Sequence, residues 1–345
     1  MELTRALIGA WRELLNLCRL RADEIVVILV GDITIPAHLS AARLAVGDTG
    51  CACMIVELGE PRIQRIGGDS TTIAAPTALT GNRSAIAALR EADLVIDMMG
   101  MYRGSEQEEI LAAGTRILLV KEPPEIFIRM RPTAADKLRV KAAELRMQAA
   151  RTMTVRSSAG TELIAKLGQY PCLAQYGFVD EPGRWDHAPS ALIARWPDEQ
   201  SASGVVVLDR GDTILPFKKY VQTPITLEIE SGYVRNITGG LDARYLKDYM
   251  ESFKDPEGFA VSHLGWGLHD RAHWTMLGMY DKQTNGMDAR SYFGNFMFST
   301  GPNAEAGGAR HTACHLDMPM SSCSLWLDDV QVLEQGHVLA VEQGR

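Results

Sequence analysis

The chain of 345 residues has no long hydrophobic run. Its most continuous apolar stretch, Ile25 to Val30, falls far short of the about 20 residues that a bilayer-spanning helix needs. Cysteine is scarce: six residues, widely spread, do not make a disulfide scaffold. Basic charge is in deficit, with 35 Lys and Arg against 43 Asp and Glu and no basic block, which argues against nucleic acid as the main partner. The first 21 residues are interrupted by Glu2, Arg5, Arg12, Glu13 and Arg19, so they do not read as a secretory signal. No G-x-G-x-x-G or G-x-x-x-x-G-K loop follows a strand, which leaves nucleotide binding unsupported. H-E-x-x-H and G-x-S-x-G are also absent, so a zincin protease and a serine hydrolase have no local support. A cytoplasmic protein that works on neither membranes nor nucleic acid is expected. Histidine is scarce too, but unevenly so: of eight, five fall between His263 and His315.

The first half alternates strand and helix patterns. Leu3, Leu7, Trp11, Leu14, Leu15 and Cys18 recur at helical spacing. Strands are expected at Glu24–Val30, Cys51–Leu58, Asp93–Met99 and Thr115–Val120, and helices at Pro36–Val46, Ser84–Ala92 and Ala134–Ala150. That alternation predicts an α/β domain with a parallel sheet, spanning residues 1–155. From about Thr152 the pattern becomes β-rich, with strands at Thr152–Ser157, Gly204–Leu208, Ile225–Glu230, Gly232–Ile237, Ser324–Leu327 and Val330–Leu333. Asp242–Phe253 is the one helix that stands out, and Glu230-Ser231-Gly232 reads as a hairpin turn. Residues 156–345 are therefore expected to form an α+β domain whose long loops carry the chemistry.

The densest cluster is His311-Thr-Ala-Cys-His315-Leu-Asp317. On extended backbone, residues two apart point to one side, so His315 and Asp317 would present an imidazole and a carboxylate to one point. A further histidine would complete a two-His-one-carboxylate face, which leaves metal positions open, as Fe(II) oxygen chemistry requires. His263, His269, His273 and His311 are the candidates. His263 follows a short apolar run and precedes Leu-Gly-Trp-Gly, whereas Asp270 and Arg271 make His269 and His273 read as surface residues. Cys51 and Cys53 lie in an apparent core strand and read as buried thiols.

Several segments carry a resemblance. Glu181-Pro-Gly-Arg-Trp-Asp-His187, Ser262-His-Leu-Gly-Trp-Gly-Leu268 and His315-Leu-Asp317 resemble the 2,5-dihydroxypyridine 5,6-dioxygenases. These belong to the wider fold family of the thermophilic metallo-aminopeptidases, which Gly294–Gly301 and Pro224–Val234 also resemble. The peptidases hold two metals. Here His263 stands where a peptidase glutamate would be, Met297 stands in place of a metal histidine, and no glutamate occurs between Pro182 and Asp198. The resemblance therefore implies a mononuclear set of His263, His315 and Asp317 holding Fe(II), with a small aromatic N-heterocycle and O2 as reactants. It implies His187 as the base, or as a hydrogen-bond partner of a ring oxygen. Arg184 and Asp186 would orient the ring or support His187, and Tyr102 and Trp266 would wall the pocket. Self-association is expected. A dinuclear aminopeptidase, a metal-free binding or scaffold protein on the same fold, and an iron dioxygenase for another hydroxylated ring are the alternatives.

Overall fold

A computed structural model describes residues 4–59, 78–101, 105–280 and 284–339. The chain forms two compact units. The first takes the chain up to Ala134, the segment Gln175–Ser190, and Thr284 with Asn285. Its core is a five-stranded parallel sheet in the order Ala52–Glu57, Ile25–Val30, Leu94–Asp97, Arg116–Leu119, Trp185–His187. Val26 to Val30, Leu94 to Asp97 and Arg116 to Leu119 are buried, as strands covered on both faces must be. Helices Arg5–Leu17, Pro36–Gly47, Arg83–Arg90, Ser105–Ala112 and Pro124–Arg129 occupy the intervening sequence. Thr4 caps the first by accepting from the Leu7 amide, and Asn82 caps the third by accepting from that of Ala85. The strand Ala52–Glu57 corrects one expectation: it lies at the sheet edge, is largely exposed, and leaves Cys53 in solvent while Cys51 is buried.

The second unit takes Ala135–Ala174 and the remainder of the chain from Ala191. Its eight-stranded antiparallel sheet runs Tyr233–Gly239, Ile225–Glu230, Ser203–Leu208, Glu162–Lys166, Thr152–Ser157, Cys323–Leu327, Val330–Glu334, His337–Val338. A five-stranded sheet runs Leu316–Met320, Phe296–Thr300, Val261–Gly267, Leu192–Arg195, Cys172–Gln175. Ser231 (φ 50°) and Gly232 (φ 78°) make the expected tight turn between Ile225–Glu230 and Tyr233–Gly239, both in the left-handed region that such hairpins need. The units do not divide at residue 155. The body of helix Ala134–Ala149 belongs to the second, and 175–190 returns to the first because Trp185–His187 pairs in parallel with Arg116–Leu119. Periodicity registers that a strand exists, not which distant strand it joins. Among the described residues, no helix is long and apolar enough to cross a membrane.

His38 is a core histidine of the first unit. Its Nδ1 accepts from Trp11 Nε1 at 3.1 Å, and Nε2–H donates to the Glu122 carbonyl at 2.9 Å. Burial pushes its pKa down to about 4, only partly opposed by the Glu122 bond. The folded protein therefore binds this proton less readily than the unfolded chain. The stability from the neutral ring is complete above the unfolded value near 6.5 and is lost as pH falls towards the folded value near 4. Denaturation midpoints are expected to drop across that window, with a limiting slope of about 1.4 kcal/mol per pH unit. His38→Gln should flatten the dependence, and an unchanged slope in that variant would assign the titration elsewhere.

Candidate metal centre

Three adjacent strands of the five-stranded sheet build the site. Phe296–Thr300 lies between Val261–Gly267 and Leu316–Met320, antiparallel to both. Ser299 pairs directly with Asp317, and Met297 with Gly265. Because side chains alternate along a strand, Met297, Ser299, Gly265 and Asp317 share one sheet face. His315 stands at the entry to its strand. The chain must pass Gly301 to arrive there: a Cβ on Gly301 (φ +115°) would stand 2.4 Å from the Cys314 carbonyl, so only glycine fits that approach.

His263, His315 and Asp317 are all buried, and one ligand atom from each lies within 4.8 Å of the others. Asp317 Oδ1 is 3.3 Å from His263 Nε2 and 3.4 Å from His315 Nε2. Ligand atoms held at about 2.1 Å from one metal, at right angles, stand roughly 3 Å apart, so the three atoms fit a single ion. The tautomers agree. His315 Nδ1 lies 3.0 Å from the Thr300 carbonyl, a bond that only Nδ1–H can make. Ser299 Oγ donates to Asp317 Oδ1 at 2.6 Å and stands 3.1 Å from His263 Nδ1, which donates to it. These bonds turn both Nε2 atoms towards Asp317 Oδ1, in the manner of the outer hydrogen bonds that orient metal-binding imidazoles. Burial pushes the Asp317 carboxyl up, but the Arg290 guanidinium, then the imidazoles of His315 and His263, outweigh it and hold the group well below the usual carboxylate range. Asp317 is an anion at any working pH, and the set suits a divalent cation.

Sequence reasoning missed three residues here. Arg290 Nε donates to Asp317 Oδ2 at 2.7 Å from the short helix Met287–Arg290. Ser299 links His263 to Asp317. Trp196 packs edge-on against His263, with ring centroids 5.3 Å apart, and is fixed by bonds from Nε1 to Ser262 Oγ and the Pro302 carbonyl. Their spacings of tens of residues leave no local pattern, although Ser299 falls in a Gly-Asn-…-Gly segment that the resemblance had already marked.

The other site expectations fare differently. Trp266 is fully buried but pairs with Phe296, so it lies on the sheet face opposite Ser299 and Asp317 and does not wall the ligand side. Tyr102 lies outside the described residues. His311 and His273 are exposed. His269 is fully buried, which corrects its surface reading: its amide donates to the Ser291 carbonyl, and its Nδ1 accepts from the Arg271 amide. His187 ends the last strand of the parallel sheet, with Nε2 at 3.1 Å from Asn285 Nδ2. Asp186 is buried: it accepts from the Tyr176 and His187 amides, and Arg184 Nη2 meets it at 2.6 Å while stacking on Tyr176 at 3.7 Å.

A second group, Asp136, His269 and Asp270, also brings three potential ligand atoms together. Its carboxylates are already engaged. Arg139 and Arg271 each bond both Asp136 and Asp270, closing a ring of four charges.

A parallel-sheet unit and a β-rich unit that bears a buried His, His, Asp set define an α/β protein with a candidate metal centre. Comparison with known proteins narrows the class. The family model of 2,5-dihydroxypyridine 5,6-dioxygenase matches residues 6–340. A Pseudomonas putida protein named 2,5-dihydroxypyridine 5,6-dioxygenase is 48% identical over 339 residues, covering 97% of this chain and 96% of its own. The solved structure of the 2,5-dihydroxypyridine dioxygenase from P. putida KT2440 superposes with a TM-score of 0.95 at 48% identity, over 98% of each chain. AmpT from Thermus thermophilus superposes at 0.58 with 13% identity, over 97% of this chain and 99% of that one, a likeness of fold alone. The chain belongs to the 2,5-dihydroxypyridine 5,6-dioxygenase family.

Proposed function

We propose that this chain is a non-heme Fe(II) dioxygenase that opens the ring of 2,5-dihydroxypyridine with O2 to give N-formylmaleamate. The observation that carries the reading is the convergence of two imidazole Nε2 atoms and one carboxylate oxygen, in a chain of this family. Bound Fe(II) supplies the electron transfer that lets an electron-rich ring react with O2, through positions the protein leaves open. The residues do the rest. Thr300 and Ser299 hold the imidazoles by Nδ1, with Nε2 turned towards Asp317. Met297 and Ala194, with Leu192 and Met287, form an apolar cluster that includes residues on the ligand-bearing sheet face, suited to a flat ring and to excluding water. His187 is assigned to the phenolic proton or to a ring oxygen, with Asn285 bonded to its ring and Asp186 holding its backbone. The same reading places the enzyme in the cytoplasm and expects self-association. Among the described residues the second candidate group has its carboxylates bound by arginines, which counts against the two-metal peptidase reading.

The test is reconstitution of the anaerobic apoprotein with Fe(II), followed by addition of 2,5-dihydroxypyridine in air. About one metal per chain, loss of the ultraviolet band of the ring and equimolar O2 uptake are expected. Two metals with no O2 uptake would overturn the reading. His187→Ala should keep its iron and lose about 10²-fold in kcat, the lower end of what a positioned acid or base contributes. Full activity in that variant removes His187 from the chemistry.

A further inference from the structure

Asp317 has two carboxylate oxygens, and the protein treats them differently. Oδ1 lies beside both Nε2 atoms and receives Ser299 Oγ–H. Oδ2 is turned away and receives Arg290 Nε at 2.7 Å. Both partners are buried, so the pair is little screened by water. Arg290 is itself fixed. Gly286 (φ +83°) opens its short helix, and the Arg290 amide donates to the Gly286 carbonyl. Asn295 ties the helix end to the His263 strand: Nδ2 donates to the Ala289 and Arg290 carbonyls while Oδ1 accepts from the Gly267 amide at 2.6 Å. The Asp288 carboxylate accepts from the His273 amide and pins the same turn.

A carboxylate free at both oxygens can bind a cation through one or both. Binding through both would fill four positions around a six-coordinate ion instead of three. We propose that Arg290 is a positioning residue that makes Asp317 a one-oxygen ligand through Oδ1, so that three adjacent metal positions stay open for a chelating ring and O2. The charge follows the same geometry. Arg290 offsets the charge of Asp317 across a 2.7 Å contact. A divalent cation here keeps more of its charge towards an anionic ring oxygen. This inference rests on the reading of His263, His315 and Asp317 as a metal site.

Mn(II) is the probe, because its exchangeable waters can be counted by proton relaxation without turnover. The wild-type protein loaded with Mn(II) is expected to hold about three exchangeable waters, six octahedral positions less three protein atoms. Two waters in the wild type would mean that Asp317 already binds through both oxygens, and would overturn the proposal. Arg290→Met should lose one water, lowering the relaxivity by about one third, at unchanged Mn(II) stoichiometry. Arg290→Lys, which keeps charge and a donor, should keep all three. Unchanged relaxivity in Arg290→Met at equal metal content is the second overturning result. If Arg290→Met does not fold, the wild-type count and Arg290→Lys decide between the outcomes. If His315→Ala binds Mn(II) as well as the wild type, the metal site itself is wrong, and the role of Arg290 falls with it.

Discussion

Asp317→Asn is expected to abolish ring cleavage and empty the metal site while leaving the fold in place. The asparagine amide keeps nearly the same volume, and its one oxygen can still accept from Arg290, while its NH2 turns a donor towards Ser299, whose hydroxyl can accept. The anionic ligand oxygen does not survive. A neutral amide is a poor ligand for a divalent cation, and with Arg290 still charged the set would then carry a net positive charge. Removing a mere supporting partner of a metal ligand typically costs 10–100-fold, so loss of the one anionic ligand should exceed about 100-fold in both metal affinity and kcat/KM. Asp317→Ala is the less informative variant. It leaves Arg290 buried without its carboxylate, and a broken buried ion pair destabilises by about 3–5 kcal/mol. Metal content by elemental analysis, with far-ultraviolet dichroism as the fold control, reads the result. His311→Ala is the matched control: exposed, and outside the three-residue set, it should retain metal and rate. If Asp317→Asn holds about one metal per chain and turns over normally, the centre lies elsewhere.

What the sequence makes legible follows from the range over which each signal acts. The strand Ile25–Val30 and the hairpin around Ser231-Gly232 are written locally, as a β-branched run and as turn chemistry, and both stand where they were expected. His315 and Asp317 are written locally as well, because their two-residue offset on extended backbone is itself the geometry. His263 is 52 residues from His315 in the numbering of the chain, and periodicity alone left it among four histidines. The resemblance singled it out, and the strand order brings it to the other two. Arg290 had no such help, and for Ser299 the resemblance marked only the segment, not the residue. Their importance comes from register, Ser299 opposite Asp317, and from a short helix whose position depends on Asn295. Trp266 shows the opposite failure. It is near His263 in sequence, yet alternation sends its ring to the other face, while Trp196, just past the end of a neighbouring strand, meets the His263 ring. Charge misled in the same way at Asp270 and Arg271, which read as solvated although their partners Asp136 and Arg139 lie more than 130 residues earlier.

Those four charges carry the second large effect. Asp136 is fully buried and bonds two arginines, Arg139 within its own helix and Arg271 at 2.7 Å, while Asp270 closes the ring at 3.1 and 3.0 Å. Asp136→Ala would leave two guanidinium groups facing a single, part-exposed carboxylate. The destabilisation expected for breaking a buried pair is about 3–5 kcal/mol, large against the about 5–15 kcal/mol that typically separates folded from unfolded chains. Asp136→Asn should lose less, since the amide oxygen still accepts one of the two arginines. The denaturant midpoint of the metal-free protein measures both. The same variants test whether Asp136, His269 and Asp270 hold a cation. Two arginines already neutralise the two carboxylates, so a divalent ion would have to displace them, and metal content in both variants should stay at the wild-type level. A drop in bound metal in Asp136→Asn, with His315 and Asp317 intact, would make this group a second metal site and would return the two-metal reading to the chain.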